Sequence, residues 1–164
     1  GLGSTLYHAS RTQPFYLYLD FSPASAMSFL LSSFFWYFIL NHRLKSVSIV
    51  LWFYAVGGVS WMFSVQCESL TEIGPNIGYA FVGLSFLIPI IIILNKTSRY
   101  KWGIVLIGML SLGCALLFRL LDHPSDLFSQ HLRQGTHFLW HIFTVIAAFF
   151  LGYYVYYLNI YKAK

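Results

Sequence analysis

Five long stretches of apolar residues constrain the fold of this chain more than any other feature. They cover roughly residues 17–40, 47–66, 76–94, 102–121 and 136–159. A transmembrane helix needs about 20 predominantly apolar residues, so each stretch is long enough to cross a bilayer. The runs are continuous rather than alternating, which favours helices over membrane-spanning strands. The sequence therefore predicts an all-α, polytopic transmembrane helical bundle that forms a single membrane-embedded domain over residues 1–164.

The composition supports this interpretation. Hydrophobic residues make up 58% of the 164 residues, and charged residues only 9%. Soluble domains carry about 25% charged residues, so this supply is too small to build a water-exposed surface. The net charge is +5, but the basic residues lie in short segments between the apolar runs. The expected partner is therefore the lipid bilayer, and nucleic-acid binding is not indicated.

The segment before the first long stretch is too short to cross a bilayer. It begins Gly1-Leu2-Gly3-Ser4 and has about a dozen residues before Pro14. We therefore expect five full spans preceded by a partial N-terminal helix, with further spans upstream. Gly74-Pro75-Asn76 is expected to form a turn between the second and third full spans.

The distribution of charge predicts the orientation of the spans. If the five spans alternate, the basic residues on one side of the membrane are Arg43, Lys45, Lys96, Arg99, Lys101, Lys162 and Lys164. The other side carries Arg11, Arg119, Arg133, Asp20, Glu68, Glu72, Asp122 and Asp126. The positive-inside rule places the first side, with the C-terminus, in the cytoplasm. His8, Asp20, His137 and His141 then all lie near the opposite face.

His137 and His141 begin the last apolar stretch, in the sequence His-Phe-Leu-Trp-His. Two residues four apart on a helix share one face, and ionisable residues inside a membrane span are costly and by default functional candidates. With His8 they form a candidate metal site, since three histidines and an open position can hold a catalytic zinc. Such a zinc lowers the pKa of its water to about 7 and polarises a substrate carbonyl. The alternative is that the histidines only hydrogen-bond neighbouring helices or line the interface.

Asp20 and Ser4 are the candidate catalytic residues. Asp20 follows an apolar run, and its carboxylate can act as general base and then general acid, or can orient a ligating imidazole. The alternative is a helix cap at the membrane interface. Ser4 lies four residues before His8 on the same helix face, and its hydroxyl can donate to a developing oxyanion. On sequence alone, a packing role for Ser4 is the simpler interpretation.

The remaining polar residues have simpler explanations. A second polar cluster in the segment after the fourth stretch contains Asp122, His123, Asp126 and His131. A solvated loop explains that cluster better than a metal does. Arg119 is expected to pair with Asp122 or to meet a lipid head group. Trp140 is expected to be an interface anchor or a packing residue. Gly57-Gly58 and Gly108 with Gly113 offer places where helices can approach closely.

Other chemistries lack their motifs. The sequence contains no phosphate-binding glycine loop and no Gly-x-Ser-x-Gly nucleophile elbow. Cys67 and Cys114 are too few for a disulfide scaffold or a cysteine zinc site. Polar groups at membrane depth also mark ion pathways, so a transporter is a further class to weigh. Three histidines and an aspartate suit metal-dependent hydrolysis better than an ion relay.

Taken together, these motifs resemble the alkaline ceramidases. The matching residues are Ser4-x-x-x-His8, Leu19-Asp20, Phe118-Arg119-Leu120-Leu121-Asp122 and His137-Phe138-Leu139-Trp140-His141. These enzymes belong to a superfamily of seven-span membrane hydrolases that also includes the progestin and adipoQ receptors and haemolysin-type proteins. The resemblance covers nearly the whole chain and implies a seven-span fold of which the first span and most of the second are absent here. Phe21 stands where ceramidases usually carry a second acidic residue.

The resemblance also implies a function and a site. It implies a Zn²⁺ ion held by His8, His137 and His141, with Ser4 and Asp20 close to the metal-bound water. The implied reaction is hydrolysis of the amide of a ceramide-like membrane lipid to a sphingoid base and a fatty acid. The alternative within the superfamily is a receptor or haemolysin-type protein whose metal site is structural or binds a ligand.

Overall fold

The computed structural model describes residues 14–67, 74–121 and 136–163, and every regular element in these ranges is an α-helix. The helices are α1 Pro14–Leu40, α2 Arg43–Gln66, α3 Gly74–Lys96, α4 Trp102–Leu120 and α5 His137–Ala163. No strand occurs within the described ranges. The prediction of an all-α chain is confirmed for this part of the sequence.

All five helices are long and apolar enough to cross a membrane. Their apolar segments run for 19 to 26 residues, with mean hydropathy between 1.4 and 2.5. The chain is therefore a multi-pass membrane protein by helix length and composition, as predicted. The partial N-terminal helix falls on residues 1–13, which lie outside the described ranges. The wider seven-span fold and its orientation stay predictions.

The basic segments predicted between spans form tight connections. Only Asn41 and His42 join α1 to α2, and Asn41 has a left-handed backbone with φ 50°. The His42 Nδ1 atom accepts a hydrogen bond from the Lys45 backbone N–H at 3.3 Å, which caps α2. The connection from α3 to α4 covers residues 97–101, of which Ser98, Arg99 and Lys101 have positive φ.

The structure corrects one expected turn. Gly74-Pro75-Asn76 was expected to form the turn between two spans, but α3 begins at Gly74 and includes all three residues. Proline is favourable in the first helical turn, because the backbone N–H groups there have no acceptor within the helix. The Gly-Pro pair therefore starts a helix here rather than joining two.

The described helices divide between two compact units, Gly1–Arg99 and Tyr100–Lys164, which we call the N-terminal and C-terminal units. In the N-terminal unit, α1, α2 and α3 all pack against one another. α2 and α3 approach each other closely at Gly57, where an added Cβ would be 3.1 Å from the Gly78 carbonyl oxygen. The expected close approach at Gly57 is confirmed, whereas Gly58 has no such neighbour.

Polar contacts join α1 to α3 in the middle of their spans. The Ser32 and Ser85 hydroxyl oxygens are 2.9 Å apart and buried. The Trp36 indole N–H donates to the Ser85 carbonyl oxygen at 2.8 Å. That carbonyl lies four residues before the buried Pro89, which has no N–H to offer it. A side chain of α1 therefore supplies the hydrogen bond that the proline removes from α3.

In the C-terminal unit, α4 packs along α5. Leu151 is buried against Gly108, where an added Cβ would be 3.1 Å from two of its side-chain carbons. The expected close approach at Gly108 is confirmed, and Gly113 has open space beside it. The prediction of one domain over residues 1–164 stays a prediction.

Candidate metal centre

The predicted site residues differ in how much of them the structure describes. Ser4 and His8 lie outside the described residues. Asp20 lies within α1 and His137 is the first residue of α5, although their side chains are likewise outside what is described. His141 is half-buried and is the one predicted site residue with a described side chain.

The helix that carries the histidine pair is continuous. It begins at His137 and runs unbroken to Ala163. With a rise of about 1.5 Å per residue, the two histidine Cα atoms are separated by about 6 Å along the helix axis. This is the one-turn spacing on which the prediction of a shared ligand face depends.

Thr136 fixes the start of α5. It is fully buried, and its hydroxyl donates to the Phe118 carbonyl oxygen at 2.8 Å near the end of α4. Its own carbonyl accepts from the Leu139 N–H at 3.0 Å. The first turn of α5, which contains the histidine pair, is therefore tied to the last turn of α4.

A buried indole supports the second histidine. Trp140 is only 8% exposed, which confirms that it is a packing residue. Its ring centroid lies 4.5 Å from that of His141, and the Arg119 guanidinium carbon is 4.9 Å from the Trp140 ring. Each contact restricts the neighbouring side chain, and a guanidinium over an indole is a favourable cation–π pair.

The sequence did not predict the contact between Arg119 and Trp140. Arg119 was expected to pair with Asp122, which lies outside the described residues, or to meet a lipid head group. Arg119 and Trp140 are 21 positions apart in the sequence, and no sequence pattern links an arginine to a tryptophan on another helix at that distance. Only the packing of α4 along α5 brings the two together.

The predicted three-histidine set is not tested by the described side chains. Among them, no group of three or more histidine, cysteine, aspartate or glutamate residues is close enough to hold a metal. The second polar cluster, with His123 and His131, also lies outside the described residues. Cys67 and Cys114 are both free thiols.

The N-terminal unit contains a cavity that the sequence did not predict. Its volume is about 180 Å³, and its walls are Ser25, Tyr54, Gly57, Gly58, Trp61, Gly78, Tyr79 and Val82. The walls come from α1, α2 and α3, and the absence of side chains at the glycines helps to open the space. The Tyr54 hydroxyl donates to the Ser25 carbonyl oxygen at 3.2 Å.

The cavity lies close along α1 to the predicted general base. Ser25, in its wall, is five residues after Asp20. Pro23 lies between them inside the helix and has no N–H to donate to the Leu19 carbonyl, next to Asp20. The α1 segment around Asp20 therefore combines an ionisable residue, an interrupted hydrogen-bond ladder and an apolar space.

Comparison with known proteins finds no match to a family model, to a curated protein sequence or to a solved structure. The resemblance of the motifs to the alkaline ceramidases therefore rests on the residues quoted above.

Proposed function

We propose that this protein is a zinc-dependent intramembrane hydrolase that cleaves the amide bond of ceramide-like lipids. The products are a sphingoid base and a fatty acid. The observation that carries the proposal is the histidine pair at the start of a continuous membrane-spanning helix, with His141 against the buried Trp140. The motif resemblance supplies the substrate class and the remaining residues.

The donor set has the chemistry that zinc prefers. His137 and His141 offer two imidazoles at one-turn spacing on α5, and His8 is proposed as the third ligand. Three neutral imidazoles leave one coordination position open, as in catalytic zinc sites. Zinc bound there would supply Lewis acidity and an activated water. The hydrogen bond from Thr136 would support the pair by holding the first turn of α5 in place.

The proposed proton transfers use Asp20. Its carboxylate accepts a proton from the attacking water and returns it to the amide nitrogen when the carbon–nitrogen bond breaks. The leaving group then departs as a neutral amine rather than as an amide anion. Ser4 donates a hydrogen bond to the oxygen of the scissile carbonyl as negative charge develops on it.

The cavity of the N-terminal unit is a proposed site for part of an alkyl chain. Pockets that enclose whole small ligands measure about 300–1,000 Å³. At about 180 Å³, this cavity has room for only part of such a ligand. Its apolar walls and its proximity along α1 to Asp20 favour the hydrocarbon chain of the substrate.

The proposed orientation follows from the charges. The C-terminus lies in the cytoplasm, and the zinc site lies near the opposite face of the membrane. A reporter fused after α5 and protected from protease added outside intact cells supports this orientation, and cleavage of the reporter contradicts it.

Metal analysis of the purified full-length protein tests the site. We expect about one zinc per chain, a large loss of zinc in His141→Ala, and full zinc content in the matched variant His42→Asn. His42 lies outside the proposed site, and asparagine can keep its capping of α2. A His141→Ala protein that keeps its zinc contradicts the ligand assignment.

Lipid hydrolysis tests the activity. Fatty acid release from ceramide should be abolished in Asp20→Asn, while the zinc content of that variant stays unchanged because asparagine removes only the proton acceptor. A full-length protein that binds zinc but releases no fatty acid supports the receptor-like alternative.

A filling substitution tests the cavity. Gly58→Leu places a side chain where no atom lies within 4 Å of an added Cβ, at the wall of the cavity. We expect a higher KM for long-chain ceramides and a smaller change for short-chain ones. Gly83→Leu is the matched control, since Gly83 also has open space but does not line the cavity. Equal kinetic effects of the two substitutions contradict the assignment.

A further inference from the structure

A cluster of tyrosines lies near the end of α5 in the C-terminal unit. Tyr153, Tyr157 and Tyr161 follow one another at four-residue intervals and so share one face of the helix. The ring of Tyr100, which precedes α4, lies 6.5 Å from that of Tyr157 and 5.1 Å from that of Tyr161. The stripe on α5 therefore packs against the residues that lead into α4.

A lysine is held within this cluster. The Lys101 Nζ atom lies 5.0 Å from the centre of the Tyr157 ring, within the range of a cation–π contact. Lys101 has a left-handed backbone with φ 53° and is the N-cap residue of α4. The contact with the ring orders a side chain that would otherwise be flexible, and it leaves the ammonium at an exposed position.

The charged residues that lie near Lys101 and near Tyr161 in the sequence are basic. Lys96 and Arg99 precede Lys101 within five residues, and Lys162 lies one residue after Tyr161. The sequence contains no aspartate or glutamate from residue 73 to residue 121 or from residue 127 to the end. The aspartates and glutamates nearest in sequence to Lys101 and to the tyrosine cluster are therefore separated from them by at least the length of a membrane span.

The hydroxyls of Tyr153 and Tyr157 provide a hydrogen-bond donor beside the Lys101 ammonium. The Tyr153 and Tyr157 hydroxyl oxygens are 3.0 Å apart and solvent-exposed. Each hydroxyl has one proton, so when one donates to the other, the second proton is left to donate to an external acceptor. The Lys101 ammonium, which lies over the Tyr157 ring, and the hydroxyl pair on α5 are donors suited to an oxyanion.

The position of the cluster in the membrane indicates that the oxyanion belongs to a membrane lipid. Lys101 directly precedes Trp102, where the apolar span of α4 begins, so Lys101 and the Tyr157 ring that it contacts lie near the membrane surface. Head groups occupy about 5–8 Å on each side of the hydrocarbon core. Trp102, 56% exposed and next to Lys101, is of a type enriched at this depth.

We propose that Lys101, Tyr153 and Tyr157 form a binding site for the negatively charged head group of an anionic phospholipid. The predicted topology places the site in the cytoplasmic leaflet, where anionic lipids are concentrated. An aromatic belt alone explains exposed tyrosines, but it does not require a lysine ordered over one ring beside a hydroxyl pair. The site does not depend on the proposed hydrolase activity.

Native mass spectrometry of the full-length protein in detergent tests the site. The probes are phosphatidylserine and phosphatidylcholine with identical acyl chains. We expect a preference for phosphatidylserine, and a loss of about five-fold in its association constant in Lys101→Gln, as one basic residue contributes at such a surface. Lys45→Gln is the matched control, because Lys45 is also exposed and lies on the same predicted side of the membrane.

Further variants separate the contributions. Lys101→Arg should keep the preference, and Tyr153→Phe combined with Tyr157→Phe should weaken it without changing the net charge. Equal losses in Lys101→Gln and Lys45→Gln overturn the proposal, since they indicate diffuse attraction to a basic surface. Competition by soluble glycerophosphoserine as effective as that by the lipid also overturns it, because the acyl chains would then make no contribution.

Discussion

The two compact units join their helices in opposite ways. In the N-terminal unit, polar groups meet in the middle of the spans, at the Ser32–Ser85 pair and at the Trp36 contact with the Ser85 carbonyl. In the C-terminal unit, the close contact within the spans is the packing of Leu151 on Gly108. The hydrogen bond from Thr136 to the Phe118 carbonyl and the cation–π contact of Arg119 with Trp140 both lie near the helix ends.

The difference follows from proline. Pro23 lies inside α1 and Pro89 inside α3, whereas α4 and α5 contain no proline. A proline leaves a carbonyl without its donor in a medium that offers no water, and at Pro89 the Trp36 side chain of α1 supplies the missing donor. Helices with complete hydrogen-bond ladders can pair by shape alone. Polar contacts within a span can therefore compensate for local backbone defects.

The largest expected effect is at the backbone contact of the N-terminal unit. Gly57→Ala would place a Cβ 3.1 Å from the Gly78 carbonyl oxygen, which can move only if a helix moves. We expect the free energy of unfolding in mixed detergent micelles to fall by about 2–3 kcal/mol. Gly58→Ala is the control, since its Cβ meets nothing within 4 Å, and it should raise stability by about 0.5–1 kcal/mol through helix propensity.

The same substitution in the C-terminal unit sharpens this comparison. Gly108→Ala meets the Leu151 side chain at 3.1 Å, and a side chain can shift by a few tenths of an ångström where a backbone cannot. The loss should be about 1 kcal/mol. A loss as large as that in Gly57→Ala would remove the distinction between backbone and side-chain contacts.

A smaller effect is expected at the carbonyl that Pro89 leaves without a donor. Trp36→Phe removes the indole N–H that donates to the Ser85 carbonyl. The free energy of unfolding should fall by about 1–2 kcal/mol, because the carbonyl is left without a strong donor. The exposed Trp52 offers a matched control, and Trp52→Phe should have little effect.

A double-mutant cycle tests whether the stability lost in Trp36→Phe depends on Pro89. Pro89→Ala restores an N–H four residues after Ser85, so Trp36→Phe should cost less in the Pro89→Ala background than in the wild type. Equal costs in the two backgrounds mean that Trp36 stabilises α1 and α3 only by packing.

The smallest effect is expected at the polar contact of the C-terminal unit. Thr136→Val removes the hydrogen bond to the Phe118 carbonyl and should lower the free energy of unfolding by about 0.6 kcal/mol, the average for hydrogen bonds between membrane helices. Thr144→Val is the control, because that hydroxyl donates only within its own helix, to the Trp140 carbonyl. A loss above that for Trp36→Phe would contradict the view that the C-terminal unit depends mainly on shape.

The number and type of the helices in the described ranges were predictable from the sequence, because continuous apolar runs of span length permit little else. The positions at which the helices begin and end were less predictable. The second span was expected to start at residue 47, but α2 starts at Arg43, because His42 caps the helix and its first turn extends into polar residues. The last span was expected to end at residue 159, whereas α5 continues through polar residues to Ala163.

The candidate site was predictable only in part. The spacing of His137 and His141 foretells a shared helix face, and the continuous α5 confirms the helix. The contact of Trp140 with Arg119 and the anchoring of Thr136 to Phe118 were not foreseeable, because they depend on how α4 packs along α5. The cavity was also missed, since three helices contribute its walls and no single segment carries its pattern.

The bond from Trp36 to Ser85 has a consequence for biogenesis. The donor lies 49 residues before the acceptor, so the ribosome makes Trp36 before Ser85 and Pro89. When α3 enters the bilayer with its interrupted backbone, the side chain that completes it is already present in α1. If α3 preceded α1 in the chain, the Ser85 carbonyl would face lipid without a donor until the ribosome had made Trp36. The order of the helices along the chain therefore decides whether the donor for this carbonyl is made before or after the carbonyl itself.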